Sequence, residues 1–161
     1  MNKVYLILGS NMGDKAQYIT SAIAHIESSI GRIIKKSSLY TTEPWGMKDT
    51  QVFLNQVIVV ETDIEPFKVL EKCLQIEVLH GRQRNIKYYE QRTLDIDILF
   101  IDQLIIETDL LQIPHPRIAE RRFVLEPLAE IYPDFAHIQH NKTISQLLEA
   151  CTDSLKVERN T

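Results

Sequence analysis

Cysteine is nearly absent from the chain. Cys73 and Cys151 are the only two in 161 residues, they form no CxxC, and their spacing suggests no bridge. That excludes a disulfide-stapled scaffold and points to a reduced, cytoplasmic protein. Long apolar runs are missing too: none approaches the roughly 20 residues of a membrane helix, and the apolar stretch of "MNKVYLILGSN" is too short for a signal peptide. No excess of positive charge exists, since the net charge is −4, which argues against a nucleic-acid partner. Glycine is scarce, with five residues. The Gly9-Ser10-Asn11 turn lacks both the lysine and the spacing of a Walker A loop, and no GxGxxG occurs. Repeats, low-complexity tracts and Ser/Gly linkers are also lacking, so residues 1–161 read as one domain.

What is present is an ordinary globular composition, 44% hydrophobic and 25% charged, enough to build a core. "KVYLIL" (Lys3 to Leu8) predicts a buried first strand. Asp14 and Gln17 resemble a capping box ahead of a helix whose apolar line is Ile19, Ile23, Ile26 and Ile30, stopping near Gly31. "RIIKKSSLY" predicts a second strand, and "TTEPWGMKDTQ" a loop broken by Pro44 and Gly46. "FLNQVIVVET" predicts a third strand. Asp63 as N-cap and Pro66 in the first turn then open a second helix, with Phe67, Leu70, Leu74 and Val78 as its buried line and Gly81 as its stop. A basic loop, Arg82 to Arg92, leads to "RTLDIDILF", "QLIIET" adds a short strand, and "TISQLLEACT" a final short helix. The order β-α-β-β-α-β predicts an α+β, ferredoxin-like (split β-α-β) fold. Its antiparallel sheet would carry both main helices on one face and leave the other for a site.

Positive charge is local. Arg82, Arg84, Lys87 and Arg92 face one acid, Glu90, and a second patch holds Arg117, Arg121 and Arg122 against Glu120. Patches of this size suit a small anion rather than a polymer. Between them, Asp95 and Asp97 project from one face of a strand whose other face is Leu94, Ile96 and Ile98. Aspartate is a poor strand former and two carboxylates repel, so either a hard cation is held there or the acids protect an exposed edge. Carboxylates for a metal beside arginines for phosphate oxygens make a polyphosphate site; the same charges also suit a loop salt-bridged to its own aspartates. His115 stands between two prolines on a stiff backbone. Phe53 shares a strand face with Asn55, close in sequence to a loop carrying Thr42 and Trp45, and an aromatic wall beside an amide suits a flat polar ring as well as plain core packing.

Taken in order, "LGSNMGD", "YTTEPWG", "FLNQV", "IEVLHGRQR", "RTLDIDIL" and "PHPRIAERRFVLEPL" resemble the 6-hydroxymethyl-7,8-dihydropterin pyrophosphokinases of folate biosynthesis, from about residue 4 to about residue 135. The resemblance implies transfer of the β,γ-diphosphoryl group of ATP to the pterin hydroxymethyl oxygen, with release of AMP and the use of two Mg²⁺ ions. It implies that Asp95 and Asp97 hold the metals and that Arg82 and Arg92 grip phosphate as catalytic residues. Arg84, Ile98, His115 and Arg121 become further ATP contacts. Thr42, Trp45 and Asn55 become pterin contacts, with Phe53 and Phe123 stacking on the ring. The chain departs from the family pattern at Leu74, Tyr88 or Tyr89, and Glu90-Gln91, while Glu77 matches an acid that would orient an arginine. Closure of residues 82–92 over ATP is expected. The partners implied are small molecules, without nucleic acid or membrane, on a monomer. A Mg²⁺-dependent phosphohydrolase and a non-catalytic ferredoxin-like ligand-binding module are the rival readings.

Overall fold

The backbone of β1 (Asn2–Ser10) sits at the centre of the molecule with every residue from Val4 to Ser10 buried. In a computed structural model of the chain, residues 1–42, 52–81 and 93–160 are described. β1 lies between β4 (Phe53–Thr62) and β5 (Asp95–Ile101), antiparallel to both. β3 (Tyr40–Thr42) and β2 (Arg32–Lys36) pair with successive halves of the long β4, and β10 (Val157–Arg159) adds an outer strand on β3. The order β10-β3-β4-β1-β5 contains the ferredoxin-like core that the element order predicts.

Two helices pack on one face as expected, α1 (Lys15–Ser29) and α2 (Pro66–Leu79). Val4, Leu6 and Leu8 of β1, with Ile58, Val60, Ile96 and Ile98, meet Ile19, Ala22 and Ile26 of α1 and Val69, Cys73 and Ile76 of α2. The other face is not left bare. Tyr5, Ile7, Val57, Val59 and Leu99 form a second core under α3 (Arg122–Ile131) and α4 (Ile144–Ala150), which contribute Val124, Leu125, Leu128, Ile144 and Leu147. A sheet covered on both sides needs unbroken apolar runs rather than alternation, and "VYLIL" and "VIVV" are such runs. Two short pairs complete the fold: β6 (Ile106–Glu107) with β7 (Gln112–Ile113), which adds Ile113 to the first core, and β8 (Ala136–His137) with β9 (Lys142–Thr143).

Local chemistry explains where elements start and stop. The Asp14 carboxylate accepts from the Gln17 N–H at 3.2 Å and opens α1. Gly81, at φ 87°, ends the second helix after His80, a left-handed position that suits glycine. Thr143 and Gln146 form the reciprocal capping box of α4.

Three expectations need correction. "RIIKKSSLY" is two strands, because the Ser37 hydroxyl takes the Val57 N–H at 3.0 Å and breaks the ladder between them. Glu65, not Asp63, is the N-cap of α2, with Pro66 at its first helical position. The buried line of α2 is Val69, Cys73, Ile76 and Glu77, while Phe67 and Val78 are exposed. Apolar residues lie on both sides of this helix, and the stripe facing the sheet contains a small thiol and an acid, which apolar periodicity undervalues. The third helix went unpredicted because Pro127 lies inside it.

Glu77 is buried with its carboxylate bonded to backbone, Oε2 accepting the Ile96 N–H at 2.8 Å. Among the described residues β5 is an edge strand, so that N–H has no neighbouring strand to bond. Glu77→Ala would leave a buried donor unmet and should cost about 1–3 kcal/mol. A lowered urea midpoint with unchanged slope would report it, and an unchanged midpoint would refute this role.

His137 is the second buried polar anchor. Its ring meets Phe100 edge to face with centres 5.3 Å apart, and Nδ1 accepts from the N–H groups of Gln139 and His140. Burial, with His140 nearby, pushes its pKa from 6.5 down to about 4. Between those values the unfolded chain binds the proton and the fold does not, so stability falls as pH drops from about 6.5 towards 4. His137→Phe should flatten part of that slope in thermal unfolding measured from pH 7 to 4.5.

Candidate active site

Strand alternation places the site. Ile96 and Ile98 enter the first core, so Asp95 and Asp97 point to the opposite face, where α3 and α4 lie. Both carboxylates are half-buried. Their Cα atoms are separated by roughly 7 Å along the strand. Register carries the row across the sheet: Asp95 pairs with Gly9, Gly9 with Asn55, and Asn55 with Tyr40. Two strand spacings put the Asp95 and Asn55 backbones about 10 Å apart.

Gly9 is the floor between them. A Cβ at this position would come within 2.6 Å of the Asn55 Oδ1, closer than real contacts allow, so the amide lies across the glycine. Gly9 belongs to β1 itself rather than to a turn beside the site. Asn55 is buried, and its Nδ2 donates to the Thr42 hydroxyl at 3.2 Å. That fixes which end of the amide points where. Phe53 lies two residues before Asn55 on the same face, partly exposed and opposite Thr42.

The second layer supplies the cations. His115 follows Pro114 and is held by its backbone N–H on the Leu99 carbonyl at 2.9 Å. Its Nδ1 accepts from the Arg117 N–H at 3.2 Å, which places the proton of the neutral ring on Nε2. Burial, then the charges of Arg121 and Arg117, lower its pKa to about 4 against a smaller pull from Asp95. At neutral pH the ring is therefore an uncharged donor. Arg121 precedes α3 with its guanidinium 5.6 Å from the Phe123 ring centre. Burial and Arg117 work against its charge, while Asp97 and Asp95 support it.

The structure thus gathers Asp95, Asp97, His115 and Arg121 on one side and Thr42, Phe53 and Asn55 on the other, with Phe123 at the start of the covering helix. Ile98 does not offer its side chain, which is buried in the first core. Its backbone, two residues beyond Ile96, faces the same open edge as the Ile96 N–H. Arg82, Arg84, Arg92 and Trp45 lie outside the described residues, as do Tyr88, Tyr89, Glu90 and Gln91. Sequence reasoning missed Gly9 as floor; its place opposite Asn55 comes from register, for which the sequence carries no local signal. Among the described residues no group of three His, Cys, Asp or Glu side chains gathers as a metal cage. The two half-buried carboxylates offer hard oxygen donors, the kind Mg²⁺ takes when phosphate and water complete its shell.

Comparison with known proteins decides the family. Residues 5–133 match the model of the 7,8-dihydro-6-hydroxymethylpterin-pyrophosphokinase family. The chain belongs to this family. Among its relatives, the 2-amino-4-hydroxy-6-hydroxymethyldihydropteridine pyrophosphokinase of Methylorubrum extorquens is 42% identical over 135 residues, covering 83% of this chain and 85% of that one. The Bacillus subtilis pyrophosphokinase of the same name is 44% identical over 132 residues, covering 81% and 78%. The fold matches the Plasmodium falciparum HPPK-DHPS crystallised with pteroate, at a TM-score of 0.77 and 20% identity, over 92% of this chain and 42% of that longer one.

One test follows from the His115 geometry. The ring should stay neutral with its proton on Nε2 down to about pH 5, the folded value being about 4. Nitrogen-15 NMR of the imidazole reads this directly, and a titration near 6.5 would contradict the assigned environment.

Proposed function

We propose that the row Asp95–Gly9–Asn55 is the floor on which this pyrophosphokinase joins ATP to 6-hydroxymethyl-7,8-dihydropterin. The enzyme is an ATP-dependent transferase of folate biosynthesis, as its family membership gives. The observation that carries the site reading is the shared face. A carboxylate pair and a buried amide are separated by about two strand spacings, with a glycine between them over which the amide lies. A flat ring held at Asn55 and Thr42 would present its hydroxymethyl arm towards phosphates held at Asp95 and Asp97.

Each side chain then has a role. Asn55 and Thr42 read the pterin edge by hydrogen bonds, with Trp45 adding backbone contacts and Phe53 and Phe123 covering the ring faces. His115 donates its Nε2–H and Arg121 its guanidinium to ATP oxygens, joined by Arg82, Arg84 and Arg92. The Ile98 backbone offers edge hydrogen bonds to the nucleotide. The pterin oxygen forms its bond to the β-phosphorus, the bond from that phosphorus to the α-phosphate oxygen breaks, and AMP leaves with that oxygen. The hydroxyl proton is released. Positioning and charge neutralisation supply the catalysis, so no side chain needs to act as covalent nucleophile.

Asp95 and Asp97 are assigned to two Mg²⁺ ions, which when bound supply charge neutralisation to the phosphate oxygens. We propose that residues 1–161 form one domain and that the enzyme is monomeric and cytoplasmic. Among the described residues no helix is long and apolar enough to cross a membrane.

Product analysis tests the reaction. With Mg-ATP, AMP should form only when the pterin is added; ADP, or cleavage without pterin, would favour a hydrolase. Asp97→Ala should abolish turnover while the protein stays folded, and near-normal turnover with Mg²⁺ would remove the metal assignment. Gly9→Ala should displace the Asn55 amide and raise the pterin KM about tenfold or more, the equivalent of one lost polar contact in a buried site. An unchanged KM would mean the Asn55 amide does not hold the pterin.

A further inference from the structure

Glu130 gathers four hydrogen-bonding or charged groups on one carboxylate, none of them assigned to a substrate. It accepts from the Ser38 N–H at 3.0 Å, the Ser38 hydroxyl at 2.9 Å and the Tyr40 hydroxyl at 2.8 Å, and Arg159 Nη2 lies 3.3 Å away. Burial pushes its pKa up, but the bonds from Ser38 and Tyr40, with Arg159, outweigh burial and hold the carboxyl below its usual range. Arg159 also donates to the Ser38 hydroxyl at 3.0 Å.

The partners stand at informative places. Tyr40 begins β3, the strand that carries Thr42, and Ser38 lies two residues before it. Glu130 lies near the end of α3, the helix whose start carries Arg121 and Phe123. The segment after α4 binds both. Asp153, buried, accepts the Arg122 N–H at 3.1 Å, and Arg122 reaches back to the carbonyls of Asp153 at 2.9 Å and Cys151 at 3.0 Å. A few residues on, β10 pairs with β3, Val157 opposite Thr42 and Arg159 opposite Tyr40. A closed circuit results, from the start of α3 through Asp153, β10, β3 and Glu130 to the far end of α3. This strap lies beyond residue 133, where the family match ends.

We propose that Glu130 is a positioning residue for the pterin, acting through Ser38, Tyr40 and Arg159 to hold β3, and with it the Thr42–Asn55 pair, at a fixed distance from Phe123. The inference rests on the reading of Thr42 and Asn55 as pterin contacts. A carboxylate with several short bonds fixes direction as well as distance, which an apolar contact at the same place would not. The nucleotide side hangs on β5, on the turn at His115 and on Arg121 at the opposite end of α3, where the Arg122–Asp153 bonds rather than Glu130 hold the helix. The effect is therefore confined to the pterin.

Steady-state kinetics with both substrates varied tests this. Glu130→Ala should raise the pterin KM about tenfold while kcat at saturating pterin and the ATP KM stay within about twofold. Glu130→Gln, which keeps an acceptor oxygen, should restore most of the loss. Tyr40→Phe and Arg159→Met each remove one partner and should raise the pterin KM partway with little change in melting temperature. They carry the test if Glu130→Ala does not fold. Arg32→Ala, which removes a remote ion pair to Glu61, should change nothing. An unchanged pterin KM in folded Tyr40→Phe and Arg159→Met, or a parallel rise in the ATP KM, would overturn the proposal. Wild-type protein that makes no AMP with pterin would instead overturn the site reading on which it rests.

Discussion

The period-two alternation of β5 is the constraint on which the rest depends. A strand buried on one face by Ile96 and Ile98 has no choice about where Asp95 and Asp97 go. A slip of one residue would drive both carboxylates into the core of α1 and α2 and expose the isoleucines. Two devices hold the register: the ladder with β1 on one side and the buried Glu77 carboxylate on the other. Glu77 places a carboxylate in the interior to hold one N–H of an edge strand, and that N–H lies between the two aspartates. The placing of the carboxylate pair and strand-edge satisfaction are thereby one problem with one solution.

From that strand the site spreads sideways along the sheet rather than along the chain. Gly9, Asn55 and Tyr40 continue the row, and a side chain at Gly9 would collide with the amide. The covering layer then divides its labour. Its apolar residues close the second core over Tyr5, Ile7 and Val57, while the chain entering α3 delivers His115, Arg121 and Phe123 towards the Asp95 end. His115 is kept neutral by burial and neighbouring guanidinium groups, which suits it to donate one hydrogen bond without adding charge.

Much of the fold was legible because it is written locally. The isoleucine spacing of α1, the Asp14 cap, the terminal glycine after α2 and the β-branched run of β4 each announce one element. The second layer was harder. Unbroken apolar runs in β1 and β4 do signal cover on both faces, but Pro127 hid the main covering helix, and β10 has too little pattern to be seen in isolation. The α2 stripe was misassigned for a related reason. Its buried face owes its place to Glu77, whose partner Ile96 lies 19 residues away.

The candidate site divides the same way. The residues proposed to carry chemistry were legible in the sequence alone. Two same-face aspartates, flanking arginines, a proline-bound histidine and an amide beside an aromatic are all visible in short stretches, because side-chain type and strand periodicity are local properties. Only the tertiary structure decided that Gly9 lies between Asp95 and Asn55, that Glu77 serves a backbone N–H, and that Glu130 and Asp153 brace the two walls. Those facts depend on register and on contacts between distant segments, and strand pairing is an energy of the assembled sheet rather than of any stretch within it.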